Sequence, residues 1–131
     1  MSTRDRTKLA APPPEGTAFL MVTRLAGVQY YAFSDGTLPL DRGAEVALRR
    51  EPSNCHDERA IEVYTLAGDK LGYVPRSRNT LLARLIDGGH TLRGRLEEVV
   101  TPALGLGARD EERHRQPRLK MSIFIDEGPL G

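Results

Sequence analysis

Short runs that alternate apolar and polar residues narrow the choice of fold more than any other feature of this chain. In Glu45-Val46-Ala47-Leu48-Arg49-Arg50, Val46 and Leu48 fall on one side of an extended backbone. Ile61, Val63 and Thr65 do the same in the run from Ala60 to Leu66, and Leu119 to Ile125 repeats the pattern. Successive side chains on a strand point to opposite faces, so a period of two marks a half-buried strand. A doubly wound parallel sheet is excluded, because its strands are apolar on both faces.

Phe19–Thr23, Val28–Tyr31, Leu71–Val74 and Thr91–Val100 complete the set of expected strands. In the second of these, Tyr30 and Tyr31 are adjacent and are expected on opposite faces, one outward and one toward the core. Ala67-Gly68-Asp69-Lys70 reads as a hairpin turn, and Pro75 stops the return strand because it has no amide hydrogen to give. From about Ser77 the period changes. Leu81/Leu85 and Leu82/Ile86 are four apart, which predicts a helix, and Asp87-Gly88-Gly89 ends it. The reading is a small, mainly antiparallel barrel or curled sheet with a helix at one end.

At 131 residues the chain makes one domain with one core. Residues 1–16, with three consecutive prolines, are expected to be a flexible tail, 17–126 the domain, and 127–131 a flexible end. A mobile loop is expected at 101–118. No run is apolar enough to span a bilayer, and Met1–Gly16 lacks the apolar centre of a secretory signal. With one cysteine, the chain suits a reducing cytoplasm.

Binding chemistry concentrates in Asn54 to Arg59, where an amide, an imidazole, a carboxylate and a guanidinium fall within six positions between two strands. Cys55, His56 and Asp57 invite a nucleophile reading, but sequence neighbours on an extended chain diverge and form no triad, so catalysis is not expected. The three histidines and one cysteine show no zinc spacing, and no phosphate loop occurs, so neither metal nor cofactor is expected. Asn54 and Asp57 have two readings: as binding groups, or as turn residues bonded to nearby amides. The net charge is only +1, from 19 basic and 18 acidic residues. A protein that grips a long duplex by its phosphates is far more basic, so any nucleic-acid contact should be small and local.

Three ordered motifs carry a resemblance: Gly27-Val28-Gln29-Tyr30-Tyr31, the run from Arg50 through Asn54-Cys55-His56-Asp57-Glu58-Arg59 to Val63, and Gly68 to Pro75 with Leu71-Gly72-Tyr73-Val74-Pro75. Together they resemble a HIRAN domain of the free-standing bacterial kind, over roughly Phe19 to Ile125. The resemblance implies an OB-like β-barrel of about six strands with one or two short helices. It also implies a non-catalytic module for DNA repair or replication forks that binds single-stranded DNA and grips a free 3′ end, with a helicase or nuclease as its companion protein. By position, Tyr30 stacks on a base, Asp57 accepts a hydrogen bond from the 3′-hydroxyl, Asn54 braces the loop, and Tyr73 and Arg76 contact the terminal nucleotides. The sequence departs from the family pattern at Gln29, where an Arg is usual, at Cys55-His56 in place of Pro-Tyr, and at Arg59 in place of Asn. His56 then replaces a stacking ring, and Arg59 offers a phosphate contact. The alternative is a barrel that binds a protein partner and no DNA.

Overall fold

The computed structural model describes residues 9, 11–102 and 116–128. Most of the expected tail, loop and C-terminal end therefore lies outside the described residues. Six strands form one antiparallel sheet: β1 (Thr17–Arg24), β2 (Glu45–Arg50), β3 (Ile61–Thr65), β4 (Lys70–Tyr73), β5 (Leu92–Val100) and β6 (Arg118–Asp126). They lie in the order β1-β6-β5-β2-β3-β4. One α-helix, α1 (Asn79–Asp87), follows β4.

The period-two runs behave as their pattern dictates. Val46 and Leu48 face inward opposite Thr65 and Val63. On β6, Leu119, Met121 and Ile123 are fully buried in the core, and Lys120 lies between them on the outer face. Gly94 on β5 admits this packing, since a Cβ there would come within 2.7 Å of Val46 Cγ2. On α1, Leu82 and Ala83 enter the core beside Leu85 and Ile86, while Leu81 stays exposed. Arg50 ties the helix down: it bonds Asp87 at the helix end through two guanidinium nitrogens and the Ala60 carbonyl through the third.

Beyond β1 the chain turns across the open side of the sheet. Leu25 N donates to Leu119 O, and Ala26 then exchanges two backbone hydrogen bonds with Tyr73 of β4, at 2.7 and 2.9 Å. This antiparallel bridge links the two outermost strands and closes the sheet into a barrel. Gly72 allows it: its φ is 155°, and a Cβ there would sit 2.5 Å from the Ala26 carbonyl oxygen.

The expected strand at Val28–Tyr31 does not form. Gly27 adopts a left-handed conformation (φ 74°), and Val28–Tyr30 and Ala32–Asp35 are 3-10 turns that carry Val28 and Phe33 into the core. Having just crossed from β6 to β4, the chain has no free sheet edge to join. It compacts instead, with local bonds from Tyr30 N to Gly27 O and from Tyr31 N to Val28 O.

On the outer face, Arg95 of β5 donates to the carbonyls of Ala11 and Pro12 at 2.7 and 2.8 Å and holds that stretch of the N-terminal segment against the sheet. Its charge is met by Glu97 at 3.2 Å, and Glu97 also accepts a 2.6 Å bond from the Ser122 hydroxyl.

Candidate nucleic-acid interface

The loop between β2 and β3 is built by its own side chains. Asn54 Oδ1 accepts from the amides of His56 and Asp57 at 2.8 and 3.0 Å, and Asn54 Nδ2 donates to Glu51 Oε1 at 2.7 Å. An Asn that bonds the amides two and three residues on braces a tight turn. Asp57 Oδ1 accepts from the Arg59 amide at 2.9 Å. Its second oxygen accepts from the amide nitrogen of Asn79, the buried first residue of α1, at 2.8 Å. The first residue of the helix therefore fixes the carboxylate.

Asp57 is ionised more readily than an ordinary aspartate. The Arg59 amide bond is the main cause, opposed by burial and assisted by Asn79 and by the Arg76 guanidinium 3.8 Å away. Its side chain is 11% exposed, and that of Arg76 is 76% exposed. An ionised carboxylate has about four lone-pair positions. Two protein donors leave room for an incoming one.

Next to Asp57 lies a cavity of about 330 Å³, at the lower end of the size of small-ligand sites. Ala60 and Val74 line it with Ala26, Tyr31 and Tyr73, and Asn54, His56, Asp57 and Arg76 supply the polar groups. The Tyr31 and Tyr73 rings stand 6.5 Å apart at 51°, and the Lys70 ammonium sits over both. A hydrogen-bonded chain fixes Tyr73 from behind: its hydroxyl donates to Glu51 Oε1 and accepts from Lys70 Nζ, both at 2.8 Å, and Lys70 pairs with Glu62 at 2.9 Å. Burial disfavours the Lys70 charge, but the bonds to Tyr73 and Glu62 outweigh it and hold the ammonium well above the usual lysine range. Bonds from Asn54 and then Tyr73 hold the Glu51 carboxyl below its ordinary value.

Five of the eight expected site residues, Asn54, His56, Asp57, Tyr73 and Arg76, thus meet at one cavity. Gln29, Tyr30 and Arg59 are exposed and do not line it. Tyr31, expected to point to the core from a strand, is half-buried and forms part of the cavity wall. Its pairing with Tyr73 and the Asn79–Asp57 bond are long-range contacts that no local pattern announced. A larger depression of about 690 Å³ lies on the outer face beside Asp41, Glu97 and Glu98, and none of the expected site residues lines it. Among the described residues, no three His, Cys, Asp or Glu side chains are placed to hold a metal ion. No helix among them is long and apolar enough to cross a membrane.

Comparison with known proteins bears on the whole barrel. The profile of the HIRAN domain family matches residues 19–123. A crystal structure of a protein from Lactobacillus plantarum is 28% identical, with a TM-score of 0.65, over 83% of this chain and 94% of that one. The crystal structure of the HIRAN domain of human HLTF is 18% identical, with a TM-score of 0.60, over 84% of this chain and 78% of that one. An NMR structure of the same human domain in its DNA-bound conformation is 19% identical, with a TM-score of 0.54, over 85% and 80%. No curated protein sequence matches.

Proposed function

Since the chain belongs to the HIRAN domain family, we propose that it is a non-catalytic nucleic-acid-binding module that takes the free 3′-hydroxyl end of single-stranded DNA into the cavity beside Asp57. The observation that carries this reading is an ionised carboxylate, fixed by Arg59 N and Asn79, with acceptor positions left over beside a nucleotide-scale cavity. The DNA-bound conformation of the human domain supports the choice of ligand class.

A carboxylate repels a phosphodiester unless something offsets it. A terminal hydroxyl is such an offset, since it donates a hydrogen bond and brings no charge. In this reading Arg76, 3.8 Å from the same carboxylate, takes the last phosphodiester. Tyr31 and Tyr73 wall the base, while Tyr30 offers an exposed ring to the next one. His56 on the cavity wall and the exposed Gln29 and Arg59 supply the remaining contacts of this reading. Such a module serves DNA repair or fork processing in the cytoplasm, beside a helicase or nuclease that produces the end.

The test compares two oligonucleotides that differ only in a 3′-hydroxyl or 3′-phosphate, by fluorescence anisotropy. The hydroxyl end should bind about tenfold or more tightly, the weight of one charge-assisted hydrogen bond. Asp57→Asn should narrow the gap by removing the repulsion. Equal affinity for both ends would refute end recognition. No binding of either at low salt would refute the DNA reading and favour a protein partner.

A further inference from the structure

On the other side of the Val74–Arg78 segment lies a second cleft, of about 380 Å³, unlike the first in its charge. Arg24, Arg78 and Lys120 line it together with Ser77, Thr23 and Pro75, and no carboxylate does. Arg24 and Lys120 are direct cross-strand partners on β1 and β6. Like charges placed opposite each other on a sheet destabilise it. Among the described residues, no carboxylate forms an ion pair with Arg24, Arg78 or Lys120. Glu98, which faces Lys120 from β5, lies instead near Arg118, at 3.8 Å. Some other cations of this nearly neutral protein do have acidic partners, as Arg50 has Asp87 and Arg93 has Asp126. Three cations without an ion pair to a described carboxylate, and an exposed serine hydroxyl, in one concave place are the chemistry of a phosphate-binding site.

The two clefts share one wall. Tyr73, Val74 and Arg76 border the Asp57 cavity, and Pro75, Ser77 and Arg78 border the basic one. Ala26 and Arg24, two residues apart, are divided between them in the same way. We infer that the basic cleft is a backbone subsite: it holds the phosphodiesters of nucleotides lying 5′ to the terminal one, after the strand has crossed the Val74–Arg78 turn. The inference rests on the end-binding reading and adds a direction to it. A strand whose 3′ end sits at Asp57 runs toward Lys120, away from the β2–β3 loop and its Glu51 and Glu58.

The experiment measures binding of a thymidine trinucleotide and a decanucleotide, each with a free 3′-hydroxyl, over a range of salt. The variants are Arg24→Gln, Arg78→Gln and Lys120→Gln, singly and combined, with Arg84→Gln, an exposed charge on α1 outside the cleft, as the control for net charge. The wild type should favour the decanucleotide. The triple variant should lose that preference, keep its affinity for the trinucleotide, and show a salt slope for the decanucleotide smaller by about 2, at about 0.7 per single-strand phosphate released. A triple variant with an unchanged decanucleotide affinity and slope overturns the subsite and leaves end binding intact. A loss equal to that of Arg84→Gln per charge removed also overturns it, as a general field effect. Failure of the wild type to bind either oligonucleotide removes both readings together.

Discussion

At the scale of single residues, two adjacent tyrosines show how little sequence position says about role. Tyr30 is 77% exposed, whereas Tyr31 is half-buried against Tyr73 and Lys70. Tyr30→Ala should therefore leave the melting temperature nearly unchanged, within about 0.5 kcal/mol of stability. If the ring stacks on a base, the same change weakens oligonucleotide binding by about 1–3 kcal/mol. Tyr31→Ala removes a ring pair worth about 0.5–1.5 kcal/mol beyond its buried area, and it should lower both melting temperature and affinity. Parallel melting and anisotropy measurements check both variants; a thermally silent Tyr31→Ala would show that the ring pair contributes nothing. The sequence left Asn54 and Asp57 between turn formers and binding groups, and the hydrogen bonds show Asn54 bracing the turn at the cavity wall. Asp57 divides its oxygens between the turn and α1, and only the fold could show that Asn79 arrives there from 22 positions away.

At the scale of elements, the strands were legible because alternation survives wherever one face of a sheet is buried and the other wet. The exception is instructive. Val28-Gln29-Tyr30-Tyr31 carries a strand-like mixture of residues, yet the chain has already crossed from β6 to β4 at Leu25 and Ala26. Closure of the barrel is a property of the whole sheet and leaves no mark in a local window. Its one local trace is Gly72, whose missing side chain admits the Ala26 carbonyl. Gly72→Ala should cost about 1–3 kcal/mol, as forced overpacking does, because backbone on the far side cannot move aside as a flexible side chain could. Gly68→Ala is the comparison: that hairpin glycine also has positive φ (101°), but a Cβ there meets nothing within 4 Å. Denaturant melts should rank Gly72→Ala clearly below Gly68→Ala. If the two are equal, conformational strain and not the seam accounts for the loss.

At the scale of the whole molecule, charge is nearly balanced, but the carboxylates at the site are not typical ones. Asp57 and Glu51 both hold their protons less tightly in the folded protein than their ordinary values of 3.8 and 4.5. A group whose folded pKa is depressed stabilises the fold above its unfolded value, and that contribution fades as pH falls through the folded one. Thermal stability should thus be insensitive to these two groups near neutrality and decline below about pH 4.5, most steeply under 3.8. Asp57→Asn and Glu51→Gln should each flatten the acid limb of a plot of melting temperature against pH. An acid limb unchanged in both variants would place the sensitivity elsewhere.

The bridge between Ala26 and Tyr73 has a consequence for solubility as well as for shape. An open sheet in this order would present β1 and β4 as bare edges, rows of unpaired amides and carbonyls that invite another chain to add itself. Two backbone hydrogen bonds turn those edges toward each other. Both residues that make them, Ala26 and Tyr73, also wall the cavity, so any partial opening that dismantled the binding site would uncover an adhesive edge in the same motion. Retaining a bound ligand and resisting self-association are, for this barrel, one requirement met at a single seam.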